Sequence, residues 1–218
     1  MASQVYTFDG AEGTKVSSLP GIFVTPSVSD AFAVLDGTGG VKNLQRLADA
    51  STTTTTFTFD TQAQSQTISV TLGAGAIATM GLIPYLACVR LKPAGTGPDL
   101  SSGWSLGYEK SESGMWLHLF NGANKMNISG SWVPATLVVG DKLTLEAQTS
   151  ADRKTIVLRG YVNDVLLVES TRTNNDANYS HSADRTGVGF RAVATDSTGT
   201  LFTHMTVGDL VLDTTALS

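Results

Sequence analysis

The sequence alternates between apolar and polar residues in several short runs, and this period of two constrains the fold more than any other feature. In the run 66–72, Ile68, Val70 and Leu72 alternate with threonine and serine. The run 142–148 alternates in the same way. Because successive side chains of a strand point to opposite faces, each run predicts a strand with one buried face.

Turn signals separate these runs about every 8–12 residues, a spacing typical of an all-β sandwich or barrel. The runs 155–162 and 165–169 flank Asn163 and Asp164, two residue types that tolerate positive φ. This pair predicts a tight two-residue hairpin. The run 82–91 is more continuously apolar, as in a strand buried on both faces, and its proline predicts a strand end or a bulge near its start.

The remaining segments complete one all-β domain. Further β-rich runs predict strands at 104–109, 116–121, 187–193 and 201–212. Residues 43–50 show a short helical periodicity, and the threonine run 52–56 suits either an exposed edge strand or an extended linker. No linker or internal repeat divides the chain. The sequence therefore predicts a single domain over 1–218, with two antiparallel sheets packed face to face, about a dozen strands and at most one short helix.

Composition argues against several classes of function. The formal net charge is -5 and 15% of the residues are charged, so the chain lacks the concentrated Lys and Arg that bind nucleic acid or an anionic membrane. The single cysteine excludes a disulfide scaffold. The first residues do not resemble a secretory signal and no apolar run is long enough to span a membrane. These features predict a chain made in a cytoplasm, or one whose signal is missing here.

The sequence contains none of the common hydrolase motifs. The Glu-x-Asp-x-x-Glu run of β-sandwich glycosidases does not occur, and the closest acid pairs, Glu109/Glu112 and Asp209/Asp213, bracket turns. No Gly-x-Ser-x-Gly elbow accompanies the histidines. The sequence therefore predicts a protein that is not an enzyme.

One polar loop carries part of a calcium-binding pattern. Asp176, Asn178 and Ser180 fall at alternate positions, a spacing at which oxygen ligands bind calcium. The pattern departs from a complete calcium loop at His181 and Gly187, where a glycine and a glutamate are usual. A polar surface loop is the alternative interpretation. Calcium binding by the three residues is a hypothesis, and no other cofactor is predicted.

Aromatic residues suggest a binding surface. Aromatic rings stack on the C–H faces of sugars, while amides and acids bind the hydroxyls. The alternative is that the rings belong to the core, because the run 116–121 is apolar on both faces. The residues that the sequence predicts as a glycan-binding platform are Trp104, Tyr108, Trp116, Trp132 and Tyr179.

The second half of the chain resembles a known group of proteins. Its segments GDKLTLEA at 140–147, LRGYVNDVLL at 158–167 and RTGVGFRA at 185–192 precede a last strand at 210–213. This order resembles the concanavalin A-like/laminin-G-like jelly rolls, most closely those of minor tail and surface proteins of actinobacterial phages. The resemblance covers about residues 80–213 and implies two curved antiparallel sheets. It carries over no lectin or laminin-G calcium residue, because no matching motif is present.

The resemblance also implies a function. It implies a virion structural protein on the particle surface, of minor tail or adhesin type, that contacts other virion proteins and host glycans. Such a protein is made in the host cytoplasm and needs no export signal. A capsid decoration or head-fibre protein that binds other virion subunits is the second possibility, and a glycan-hydrolysing enzyme the third. Tail and fibre components are commonly symmetric oligomers, but no heptad repeat specifies an oligomeric state here.

Overall fold

The fold is described from a computed structural model. It describes residues 4–15, 18–19, 23–26, 33–43, 53–60, 65–73, 81–91, 104–111, 114–121, 126–127, 133–150, 152, 154–173, 187–194 and 202–209.

The described residues form sixteen β-strands. In chain order they are β1 (Gln4–Tyr6), β2 (Phe23–Pro26), β3 (Ala33–Leu35), β4 (Val41–Asn43), β5 (Thr53–Asp60), β6 (Gln66–Leu72), β7 (Gly81–Leu91), β8 (Trp104–Ser111), β9 (Gly114–Asn121), β10 (Met126–Asn127), β11 (Val133–Pro134), β12 (Lys142–Thr149), β13 (Thr155–Val162), β14 (Val165–Thr173), β15 (Gly187–Ala194) and β16 (Phe202–Asp209). No helix within these residues is long and apolar enough to cross a membrane.

The strands pair antiparallel in two sheets. Sheet A has the order β14-β13-β12-β6-β16-β4-β3, with β1 paired to β16. Sheet B has the order β10-β9-β8-β7-β15-β5-β2, with β11 paired to β9. The sheets pack face to face, so that β7 lies across β6 and β12 while β9 lies across β13 and β14. The predicted all-β, two-sheet antiparallel sandwich is confirmed.

The predicted strands at 66–72 and 155–162 coincide with β6 and β13. The structure has more strands than the predicted dozen because six of them, β1 to β4, β10 and β11, have only two to four residues. A run that short cannot show a period of two. The strand end or bulge predicted at Pro84 is also confirmed. The pairing of β7 with β8 shifts register between Leu82 and Tyr85.

From Thr53 onward the threonine run is neither an edge strand nor a linker, so both alternatives were wrong for residues 53–56. Residues from Thr53 onward belong to β5, which pairs with β15 on one side and with β2 on the other. Threonine is β-branched and fits the pleated backbone of a strand inside a sheet. The predicted helix at 43–50 lies outside the described residues, except for Asn43 at the end of β4.

Alternate positions of sheet A build one side of the core. In β12 the side chains of Leu143, Leu145 and Ala147 are fully buried, and Leu145 pairs with the equally buried Ile68 of β6. Burying an aliphatic side chain of this size contributes about 1.5–3 kcal/mol. The period of two therefore describes a strand with one face in the core, as the sequence predicts.

The predicted hairpin is confirmed at one end of sheet A. Asn163 and Asp164 have φ values of 50 and 65 degrees and join β13 to β14. The Asn163 side chain also ties this turn to β12, because its Oδ1 accepts from the Lys142 amide at 2.9 Å and its Nδ2 donates to Asp141 Oδ1 at 2.7 Å. The turn is therefore fixed by side-chain hydrogen bonds as well as by its backbone.

A glycine controls the contact between the two sheets. A Cβ built on Gly160 of β13 would lie 2.6 Å from Leu106 Cδ1 and 2.7 Å from Val168 Cγ1. Leu106 belongs to β8 of sheet B and is fully buried. The missing side chain at Gly160 therefore gives Leu106 the space that it fills.

We expect Gly160→Ala to lower the free energy of unfolding by about 1–3 kcal/mol, because the added methyl group overpacks the core. Urea unfolding measures the change. The Leu106→Ala background removes the clash with Leu106 but keeps the one with Val168 Cγ1 at 2.7 Å, so the same substitution should cost less there without becoming neutral. An equal cost in both backgrounds would show that the contact with Leu106 contributes nothing to the cost.

Candidate functional site

The outer face of sheet A carries polar side chains that bind one another. Arg159 Nε donates to Glu169 Oε2 at 2.6 Å, and Arg159 Nη1 donates to Gln148 Oε1 at 3.1 Å. The Tyr161 hydroxyl donates to Glu146 Oε2 at 2.7 Å. Burial, followed by this hydrogen bond, raises the pKa of Tyr161. These five side chains are engaged with each other, so a ligand would have to break existing contacts to use them.

The pairing register of sheet B assigns each of its positions to a face. Directly paired residues of antiparallel strands share a face, and Leu106 of β8 is buried at the contact with Gly160 of sheet A. The positions in line with Leu106 therefore belong to the inner face. All of them are apolar: Leu119, Leu86, Phe190, Phe57 and Val24.

Two neighbouring rows of positions belong to the outer face of sheet B, because side chains alternate along each strand. The first row runs through β9, β8, β7, β15, β5 and β2 in that order. Its residues are His118, Gly107, Tyr85, Arg191, Thr56 and Thr25. The second row crosses the same strands: Phe120, Ser105, Ala87, Gly189, Thr58 and Phe23.

Small residues occupy the middle of this outer face. Gly107 and Ser105 in β8, Ala87 in β7 and Gly189 in β15 lie side by side in the two rows. Aromatic positions lie at both ends of the second row. The pattern is a floor of small residues between aromatic positions, with hydroxyl-bearing residues alongside. Such a floor leaves room for a flat ligand.

The register does not bring the five predicted platform residues together. Positions 104 and 108 share the inner face with Leu106, which favours the core interpretation for them. Trp116 pairs with Glu109 and belongs to the outer face. Trp132 and Tyr179 lie outside the described residues, so the complete platform stays a prediction.

Tyr85, Arg191 and Phe23 are candidates for a binding face that the sequence alone did not indicate. They come from β7, β15 and β2, which are far apart in the chain. Only the strand order of sheet B places these positions on one face. Their individual residue types gave no signal that could have grouped them.

The predicted calcium ligands cannot be placed in the fold. Asp176, Asn178 and Ser180 lie outside the described residues. Among the side chains that the structure describes, no group of three or more His, Cys, Asp or Glu residues could hold a metal ion. Calcium binding at 176–180 stays a prediction.

We expect the Tyr161 hydroxyl to stay protonated at pH values where an exposed tyrosine, with a pKa of about 10, ionises. Since the folded pKa is raised, the stability that Tyr161 contributes is present below about pH 10 and is lost as the pH rises through the folded pKa. The difference in tyrosinate absorbance between the wild type and Tyr161→Phe measures the pKa. Glu146→Gln should lower it, and a wild-type value near 10 would contradict the role of burial and the hydrogen bond.

Comparison with known proteins identifies the fold but no sequence family. No protein-family model matches the chain, and no curated protein sequence matches it. Solved structures match over nearly the whole chain. The carbohydrate recognition domain of Emp46p in its potassium-bound form has a TM-score of 0.58 and 11% identity, covering 95% of this chain and 98% of that one.

Two other solved structures give the same result. Peanut lectin with a 9mer peptide has a TM-score of 0.55 and 12% identity, covering 94% of this chain and 96% of the lectin. The exoplasmic/lumenal domain of VIP36 in its Ca2+/Man2-bound form has a TM-score of 0.54 and 11% identity, covering 97% of this chain and 88% of that domain. The chain therefore has the legume-lectin-like, or concanavalin A-like, β-sandwich fold, as the resemblance in its second half implies.

Proposed function

We propose that the protein binds glycans on the outer face of sheet B. The observation that carries the proposal is the floor of small residues in β7, β8 and β15, bordered by the aromatic positions Trp116, Phe120 and Tyr85. Aromatic rings stack on the C–H faces of sugars, and glycine or alanine beside them admits a sugar ring. Solved structures of this fold include a carbohydrate recognition domain and a Man2-bound domain, which supports the proposal.

Polar positions on the same face suit the hydroxyls of a sugar. Thr56, Thr58 and Ser105 supply hydroxyl groups that donate and accept, and His118 lies in the first row. The outer face of sheet A is less suited, because Arg159 and Tyr161 already bind side chains of neighbouring strands. The proposal therefore places the ligand on sheet B.

Binding without hydrolysis fits this face better than a glycosidase does. Hydrolysis by the common mechanism uses two carboxyl groups about 5–10 Å apart. Of the acidic positions in the paired strands of this face, Glu109 lies in β8 and Asp60 in β5. Strands β7 and β15 separate them, which alone places them at least about 14 Å apart. We therefore propose a binding protein and not an enzyme.

We further propose that the protein is a surface component of a phage particle, of minor tail or adhesin type. The support is the resemblance of residues 80–213 to such proteins, together with a chain rich in threonine and serine. The run 66–72 shows this surface, with Thr67, Ser69 and Thr71 on the partly exposed positions of β6. In this role other virion proteins hold the domain and the face of sheet B meets host glycans.

A glycan array tests the binding proposal. We expect Trp116→Ala to weaken binding of any bound glycan about five- to tenfold, as removal of an aromatic contact worth about 1–1.5 kcal/mol would. Leu166→Ala is the matched control, because it removes a partly exposed apolar side chain from a strand of sheet A. Thermal unfolding of both variants confirms that they fold. Binding that Trp116→Ala leaves unchanged, or that Leu166→Ala abolishes, would refute the assignment to sheet B.

Particles assembled from the genome that encodes this chain test the virion proposal. We expect mass spectrometry to detect the protein in purified particles, and antibody labelling to place it on tails. Labelling on heads would favour a capsid decoration or head-fibre protein instead. A protein that stays in the host lysate and is missing from washed particles would refute both.

A further inference from the structure

An arginine occupies a central position on the outer face of sheet B. Arg191 lies in β15, which is flanked by β7 and β5. It pairs with Tyr85 on one side and with Thr56 on the other. Along β15 the neighbouring positions on the same face are Gly189 and Val193. None of these four neighbours carries a negative charge.

The central arginine of sheet A has a different setting. Arg159 of β13 pairs with Glu146 of β12 and with Glu169 of β14, so an acid lies at the register position on each side. Its Nε binds Glu169 Oε2 at 2.6 Å. The same chain therefore places acids on both sides of one strand-centred arginine and uncharged residues on both sides of the other.

The nearest acidic position in the paired strands of this outer face is Glu109. It lies in β8, two strands from Arg191, and two residues further along than Gly107, which is in line with Arg191. Strand spacing and rise place the two Cα atoms about 12 Å apart. The strand between them contributes Tyr85, which pairs with both Arg191 and Gly107, so Glu109 is not a register neighbour of the arginine.

We propose that the outer face of sheet B binds a glycan that carries a carboxylate, and that Arg191 recognises this group. This inference rests on the proposed glycan binding and adds the chemical class of the ligand. A guanidinium group binds a carboxylate through two parallel, charge-assisted hydrogen bonds, and a neutral sugar has no anionic group to accept them. Uronic and sialic acids are the sugars with this group, and Tyr85 beside Arg191 supplies an aromatic position for their ring.

The test compares acidic glycans with their uncharged derivatives. The probes are oligogalacturonate and sialyllactose, each alongside its methyl ester, and binding is measured by titration calorimetry. We expect the wild type to bind at least one acid about tenfold more tightly than its ester, the size of one charge-assisted contact. Arg191→Gln should remove this preference. Arg191→Lys keeps the charge but cannot donate two parallel hydrogen bonds, so it should retain only part of the preference.

A matched variant controls for net charge. Lys154→Gln changes the charge equally at an exposed side chain in the turn before β13, and it should leave the preference intact. Thermal unfolding shows whether Arg191→Gln folds, and Arg191→Lys gives a second measurement if it does not. Loss of the preference in Lys154→Gln as well would mean a general charge effect and would overturn the assignment of Arg191.

The outcomes separate this inference from the glycan proposal. Equal binding of acids and esters, or binding of neutral glycans alone on an array, overturns the carboxylate inference and leaves glycan binding standing. An acid preference that Arg191→Gln does not change overturns the role of this residue. A wild type that binds no glycan overturns both proposals.

Discussion

The contact of Leu106 with Gly160 is the constraint on which the description of both faces depends. Here the Leu106 side chain of sheet B packs directly against the backbone of Gly160 in sheet A. Because Leu106 is fully buried there, its position marks the inner face of β8. Residues paired directly with an inner-face residue lie on the inner face of the next strand as well. A slip of one residue in any of these pairings would exchange the two faces of that strand. The apolar row from Leu119 to Val24 shows that the register is consistent across the sheet.

The outer faces of the two sheets differ in the residues that surround their polar side chains. On sheet A the side chains of Arg159, Glu169 and Gln148 satisfy each other across three strands. Such pairs on a partly exposed surface add little stability, but they leave few groups for a ligand. On sheet B the rows combine small residues, hydroxyls and one strand-centred arginine. The register partners of this arginine, Tyr85 and Thr56, are uncharged, which is why the glycan and carboxylate proposals both refer to sheet B.

Local patterns in the sequence predicted local structure well. The alternation at 66–72 and the pair Asn163–Asp164 each specify a strand or a turn from neighbouring residues, and both are confirmed. Strand neighbours distant in sequence could not be predicted, because β5 pairs with β15 across more than 120 residues. The prediction for the threonine run was wrong for this reason. The composition of the run indicates an extended backbone but does not indicate which strands flank it.

The predicted aromatic platform was limited in the same way, because local sequence does not show which residues share a face of a sheet. Trp104 and Trp116 are close in sequence and lie on adjacent strands, yet the register pairs Trp104 with Asn121 and Trp116 with Glu109. Since the run 116–121 is apolar at alternate and intervening positions alike, no pattern in it could reveal which face is inner. That information comes from Leu106, which is fully buried between the two sheets.

The overall charge determines how a face like that of sheet B can select a ligand. The formal net charge of -5 repels an anionic glycan weakly at long range, so electrostatic steering does not favour its arrival. In the proposed complex, selectivity would arise at contact, from the two parallel hydrogen bonds that the guanidinium group of Arg191 donates to a carboxylate. Tyr85 and Thr56, the register partners of Arg191, are uncharged, so neither would compete with a carboxylate for the guanidinium group in the proposed complex.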